Sequence, residues 1–286
     1  MIERIAILGT GLLGTSVGLA LRAAGFRGQI AGWNRSEHGA HTALTMGAID
    51  SIASDPIQAA KDSQLTLLSV PIYATLDLME QLSPVLGLDQ LVTDVGSTKG
   101  QITAAAARLF NSQDRAAFLP GHPMAGKERG GADLGDANLF RGAVWLFTDD
   151  PTWERSATAS ALVADWRRWV VAMGARAIDI DPTRHDKLVA WVSHLPQFVA
   201  TALSALLEDE VGEAPELKDV GGRGLREMTR LGASPYSMWR DIALTNTDAV
   251  EATLFALEQR LAYIRENLRT PELRDEFERA NNFRRE

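Results

Sequence analysis

The chemistry-bearing residue with the most constrained surroundings is His122, set in Pro120-Gly121-His122-Pro123-Met124-Ala125-Gly126-Lys127-Glu128-Arg129-Gly130-Gly131. Pro123 disfavours the helical region for the residue before it and holds His122 extended. Gly121 lets other backbone or a ligand come close. The apolar run 116–119 in front reads as a buried strand, and the two prolines and four glycines that follow stop both strand and helix. An imidazole fixed at a strand's end is suited to taking a proton near neutral pH; the plainer alternative is a histidine that only hydrogen-bonds its loop. Ser97, in Asp94-Val95-Gly96-Ser97-Thr98-Lys99, closes another apolar run. It is placed to cap the helix that follows, to reach the imidazole or a ligand, or both. Lys99 reads as solvated.

Two further constellations lie in the second half. In Trp191-Val192-Ser193-His194-Leu195-Pro196-Gln197 a proline interrupts a helical pattern and kinks it. His194 and Gln197, three apart, share a face there, although a lone helical histidine is often a satisfied core residue. In Gly221-Gly222-Arg223-Gly224-Leu225-Arg226-Glu227-Met228-Thr229-Arg230 three arginines fall along one helical face. Arg226 and Arg230 repel at that spacing, so the cluster suits a carboxylate or phosphate, or else a solvated face paired with Glu227 and Asp219.

The elements that must position these residues alternate in kind. The β run 4–8 leads into Gly9-Thr10-Gly11-Leu12-Leu13-Gly14, a helical pattern to about Ala24, and a second strand over 29–33. A G-x-G-x-x-G between strand and helix suits a pyrophosphate, because glycines allow close backbone approach and the helix N-terminus offers amides and a favourable dipole. Asn34, Arg35 and Ser36 end the second strand where an NAD site usually places a carboxylate; a neutral side chain, a guanidinium and a hydroxyl favour the 2′-phosphate of NADP over NAD. Strands over 65–70 and 91–95 alternate with helices, and residues 143–147 and 175–180 read as the last strands around a helix over 154–173. Continuous apolar strands between helices predict a doubly wound, parallel α/β sheet of Rossmann type over residues 1–181. Its ligand would lie beyond the carboxyl ends of the strands, where the glycine loop, Val70, Pro71, Ser97 and His122 converge. After Pro182 the pattern is helical throughout: about 183–208, 217–231 and 238–268, then a polar tail. An all-α domain over 182–286, rich in Leu, Val and Ala, predicts packing against a second copy as a homodimer.

Composition sets the outer bounds. The chain has 286 residues, a net charge of −8 and no cysteine, which excludes disulfides and thiolate chemistry. The acidic balance argues against nucleic acid. No apolar run approaches membrane-spanning length and no metal site is suggested; with no signal layout at the N-terminus, a cytoplasmic protein is expected.

Five motifs together resemble the prephenate/arogenate dehydrogenases of tyrosine biosynthesis: Gly9 to Gly14, Asp94 to Lys99, Gly121-His-Pro-Met-Ala-Gly126, Ser193-His-Leu-Pro-Gln197, and Thr229-Arg230 through Met238-Trp-Arg-Asp-Ile242. The resemblance implies oxidative decarboxylation of a cyclohexadienyl substrate with hydride transfer to NAD(P). It assigns the base to His122, hydroxyl positioning to Ser97, carboxylate binding to Arg230, and the substrate pocket to His194 and Gln197. Gly9, Gly11, Leu12, Leu13, Gly14, Val70 and Pro71 would surround the cofactor. Gln197 departs from the second histidine that many members carry. Arogenate's ammonium would favour a carboxylate that these motifs do not supply, so prephenate is the expected substrate. With no room after the helices for a regulatory domain, any tyrosine feedback would act at the active site. A β-hydroxyacid or pyrroline-carboxylate type of dehydrogenase fits less well, since neither Lys187 nor Lys218 has the setting of a helical catalytic lysine. A protein that senses NADP without turnover would not need His122, Ser97 and Arg230 in one cleft.

Overall fold

In the computed structural model, residues 1–285 are described, apart from the side chain of Lys218. The chain opens with β1 (Arg4–Leu8), α1 (Leu12–Ala23), β2 (Gln29–Trp33), α2 (Glu37–Thr45), β3 (Ser51–Ile52), α3 (Pro56–Lys61), β4 (Leu65–Leu68), α4 (Ile72–Leu82), β5 (Leu91–Asp94), α5 (Gly100–Leu109) and β6 (Ala117–Leu119). The six strands form one parallel sheet in the order β3-β2-β1-β4-β5-β6. Side chains alternate across β1: Ile5 and Ile7 join one core with Val17 and Trp166, while Ala6 and Leu8 join another with Met79 and Ile102. β4 and β5 are buried at every position, as strands covered on both faces must be.

The glycine loop shows why its residues are glycines. Gly9 has φ +106°, and a Cβ there would lie 2.1 Å from the Ser69 carbonyl oxygen. A Cβ on Gly14 would lie 2.0 Å from the Gly9 oxygen, so the third glycine lets α1 close onto β1. A Cβ on Gly11 would meet nothing within 4 Å.

The chain does not stop being strand at Pro120. Gly121–Pro123 is a short strand, β7, antiparallel to β8 (Val144–Phe147), with His122 opposite Leu146. β8 pairs in parallel with β9 (Arg176–Asp179), so the expected last strands build a separate three-stranded sheet. Proline can sit at an edge or strand end without breaking a ladder, which is how this segment keeps two of them. α6 (Ala157–Ala172) is capped by the Ser156 hydroxyl and buries Trp166.

The helical half begins with α7 (Pro182–Val189), capped by the Asp181 carboxylate. A π turn spans Ala190–His194 before α8 (Leu195–Val211). Pro196 has no N–H for the carbonyl four residues back, and the turn ahead of it takes the wider π form. Residues 182–211 form one helical run long and apolar enough, by length and composition alone, to cross a membrane, a run not anticipated from the sequence. It also buries His185, Asp186, His194 and Gln197. The expected helix over 217–231 is broken into α9 (Leu217–Val220), α10 (Gly222–Thr229) and a 3₁₀ turn, Arg230–Ala233; Gly222 has φ +57°. The long helix after it divides at Asn246 into α11 (Tyr236–Thr245) and α12 (Thr247–Glu266), and the polar tail is helical as α13 (Glu272–Arg285).

Candidate active site

One cavity of about 650 Å³ opens between the carboxyl edge of the parallel sheet and the helical half. The first half contributes Gly11, Leu12, Leu13, Val70, Pro71 and Ser97 to its lining, β7 contributes His122, and the helical half contributes Gln197 and Arg230. The glycine loop fits a dinucleotide: α1 has Gly11 at its N-cap, no side-chain cap and no acidic residue in its first turn, leaving its amides for an anion. Asn34, Arg35 and Ser36 lie outside the cavity lining, at the end of the neighbouring strand. The Asn34 side chain donates to the Ser36 carbonyl at 3.1 Å, and Arg35 and Ser36 are exposed.

His122 is held from below by a buried ion pair. Asp94, at the end of β5, accepts the Gly121 N–H at 3.0 Å and the Gly96 N–H at 2.7 Å. Lys99 pairs with Asp94 and donates to the Gly121 carbonyl at 2.8 Å. Both backbone groups of the residue before His122 are thereby fixed. Lys99 is fully buried, so its expected solvated position is corrected: its stem runs under the loop and its charge is used structurally. Burial pushes its pKa down, against the opposing pull of Asp94.

Ser97 does not cap α5. The first amides of that helix are taken instead by Asp186 of α7, which accepts from Lys99 N at 2.7 Å and Gly100 N at 2.8 Å. Ser97, half-buried, lines the cavity. The His122 ring contacts a second histidine that the sequence did not single out: His122 Nδ1 lies 2.9 Å from His185 Nε2, and His185 Nδ1 lies 2.8 Å from Asp186 Oδ1. Burial pushes the pKa of His122 well below 6.5, with His185, Lys99 and His194 adding to it, so the ring is neutral and able to accept a proton at neutral pH.

On the far wall, Arg230 forms an ion pair with Glu128 across the cavity. The three-arginine face does not form, because Arg230 belongs to the 3₁₀ turn, Arg223 pairs with Glu227 at 2.7 Å, and Arg226 is outside the cavity lining. Gln197 donates to the Leu231 carbonyl at 2.8 Å and to Thr201 at 3.1 Å, tying α8 to the turn that carries Arg230. His194 is not part of the cavity lining. It is buried, 3.3 Å from the Asn246 amide, with its ring against Trp239. Burial lowers its pKa to about 4. His194 and Gln197, which simple i,i+3 spacing had put together, are both buried, but only Gln197 lines the cavity.

Residues 17–178 match the family described as prephenate dehydrogenase, nucleotide-binding domain, and residues 181–281 the one described as prephenate dehydrogenase, dimerization domain. The chain belongs to the prephenate dehydrogenase family. It is 32% identical over 247 residues to a prephenate dehydrogenase of Lactococcus lactis subsp. cremoris, covering 86% of this chain and 66%, just under two thirds, of that one. Among solved structures it is similar to Aquifex aeolicus prephenate dehydrogenase in complex with hydroxyphenyl propionate and NAD+, with a TM-score of 0.87, 28% identity, and coverage of 99% and 98%. It is also similar to Synechocystis arogenate dehydrogenase, at a TM-score of 0.76, 27% identity and 98% coverage of both chains.

Within this family framework, the residues missed from the sequence were His185, Asp186, Glu128 and the structural role of Lys99. The adjacent His-Asp pair just after the Asp181-Pro182 helix start was a visible signal. Its partners, however, stand 63 and 86 residues away.

Proposed function

We propose that this chain is a nicotinamide-dependent dehydrogenase that converts prephenate to 4-hydroxyphenylpyruvate in tyrosine biosynthesis. The observation that carries the proposal is the single cavity shared by the glycine loop, Ser97, His122 and Arg230. When bound, the dinucleotide supplies the hydride acceptor. Its pyrophosphate would rest on the α1 amides, with Leu12, Leu13, Val70 and Pro71 around it. His122 takes the proton of the substrate's 4-hydroxyl as the C–H electron pair leaves as hydride and the C=O bond forms. Loss of carbon dioxide leaves its electron pair in the ring, which becomes aromatic, and the proton held by His122 returns to the phenolic oxygen. Ser97 orients the hydroxyl. Arg230 binds a substrate carboxylate, which takes over the position of Glu128, and Gln197 holds the turn beneath it. His194 acts from behind, through Trp239.

Prephenate is favoured over arogenate because Gln197 offers no negative charge to a side-chain ammonium; against this, Glu128 in the same cavity wall is a carboxylate that such an ammonium would meet. NADP is favoured over NAD because the residues after β2 are Asn34, Arg35 and Ser36 rather than a carboxylate. The dinucleotide domain comprises residues 1–181 and the helical substrate domain 182–286. The latter joins two cytoplasmic copies into a homodimer, which sedimentation velocity should show as a species of twice the chain mass.

The deciding measurement is initial rate at the reduced-nicotinamide absorbance band, with prephenate or arogenate against NAD+ or NADP+. The expected result is the highest kcat/KM with prephenate and NADP+. A clear preference for arogenate would transfer the proposal to that substrate; no turnover in any combination would refute the enzyme reading.

A further inference from the structure

Asp186 receives three donors: the Lys99 and Gly100 amides and a ring nitrogen of His185. Burial alone would raise its pKa, but the bonds from His185, Lys99 and Gly100 hold it below the usual carboxylate value. Asp186 is therefore an ionised acceptor, and the His185 Nδ1 beside it must carry a hydrogen. Burial lowers the pKa of His185, outweighing the opposing bond from Asp186. Its ring is neutral, with one hydrogen already spent on Nδ1, so His185 Nε2 is a bare lone pair. Across the 2.9 Å contact, His122 Nδ1 must then be the donor.

We propose that His185 and Asp186 are positioning residues that lock His122 in the Nδ1–H tautomer, leaving its Nε2 bare toward the cavity as the proton acceptor. This deepens the dehydrogenase reading and rests on it for the identity of the reaction. His122 Nε2 makes no bond among the described residues, is not among the fully buried unpartnered atoms, and belongs to a residue lining the cavity. The chain of donors runs one way: His122 Nδ1–H to His185 Nε2, His185 Nδ1–H to the Asp186 carboxylate, with the carboxylate anchored on the first amides of α5. When Nε2 takes the substrate's hydroxyl proton, the O–H bond breaks and the N–H bond forms. The resulting imidazolium keeps its Nδ1–H bond to His185, whose acceptor is strengthened by the carboxylate behind it. No proton needs to travel beyond His122. Because Asp186 sits on α7 and its amide partners on α5, the tautomer of the base is set by the packing of the helical half on the sheet-bearing half.

The tautomers can be read without substrate. The chain has five histidines, so long-range 15N–1H spectra of histidine-labelled protein at pH 7.5 can assign each ring. The expected pattern is protonated Nδ1 and bare Nε2 for both His122 and His185. A proton on Nε2 of His122, or a mixture of its tautomers, would overturn the proposal. Activity supplies a second arm. His185→Gln retains a carbonyl acceptor at about the reach of the lost Nε2, whereas His185→Leu retains none. We expect His185→Leu to lower kcat by roughly ten- to a hundredfold, with both KM values within about twofold. His185→Gln should recover most of the turnover together with the His122 Nδ1–H signal. Equal losses in both variants, or near-normal kcat in His185→Leu, would reduce His185 to packing. If the tautomers are as expected but the wild-type protein turns over neither prephenate nor arogenate, the reaction assignment fails while the tautomer lock stands.

Discussion

The sheet-bearing half and the helical half solve the burial problem in opposite ways. In the first, strands β1, β4 and β5 put apolar side chains on both faces, and two continuous cores close over them. In the second, from Trp191 onward, few apolar side chains are buried, among them Ala200, Ile242 and Val250, while Trp191, Val192, Phe255 and Phe283 are more than half exposed. Exposed apolar area on that scale is costly in a solitary chain, and it matches the family's dimerization domain over 181–281. Polar groups divide the same way. Asp94 and Lys99 are sealed under the His122 loop and pair there, while Arg230 is 60% exposed and, among the described residues, paired only with Glu128. On the proposed reading, the sheet-bearing half holds the base, with His185 and Asp186 of α7 behind it, and the cavity wall of the helical half meets the substrate. Substitutions in the first half should therefore change kcat or stability, and those at the cavity wall of the second should change KM.

His122→Asn tests this contrast most severely. Turnover should fall on the order of a hundredfold or more, while dinucleotide affinity measured by fluorescence titration stays the same. Near-normal kcat would remove His122 as the base. Lys99→Met retains the stem and deletes the charge, leaving Asp94 buried and unpaired. Urea unfolding should show a loss of about 3–5 kcal/mol; a loss below about 1 kcal/mol would mean that the pair does not anchor the loop.

Acid should weaken the helical half through His194, which is neutral when folded because burial lowers its pKa to about 4. Between pH 6.5 and about 4 the unfolded chain takes up a proton that the folded chain refuses, so stability rises with pH across that window and is lost as pH falls. The full difference is worth about 3 kcal/mol. Melting temperatures of wild type and His194→Gln should converge toward pH 4 as wild type loses this contribution; parallel curves would sink the assignment. The smallest effect is expected from Arg230→Gln. Its charge is partly solvated before substrate arrives, so KM should rise by an amount worth about 2 kcal/mol, with kcat changed only severalfold. A fall confined to kcat would place Arg230 with the reacting groups and blur the contrast between the halves.

Much of the first half was legible from short stretches. Gly9, Gly11 and Gly14 between a strand and a helix give a tight turn wherever they occur in that order, and an apolar run such as 65–68 is buried by any doubly wound sheet. The convergence of Ser97 and His122 followed from the strand ends alone. The second sheet was not legible, because β7 is three residues long and takes its identity from pairing with β8, more than twenty residues later. Likewise the proline in α8 signalled a disturbance, but that His194 faces Asn246 and Trp239 while Gln197 reaches Leu231 and the cavity depends on what packs beside the helix.

The sequence by itself determined the strand and helix periods, the glycine loop, the proline-bounded histidine and the family those motifs resemble. These depend on backbone sterics and on neighbours within a few residues. The tertiary structure alone decided that Lys99 is buried, that Asp186 rather than Ser97 holds the start of α5, and that His185 stands behind His122. Those outcomes depend on which groups, dozens of residues apart, lose their water together and must then satisfy one another.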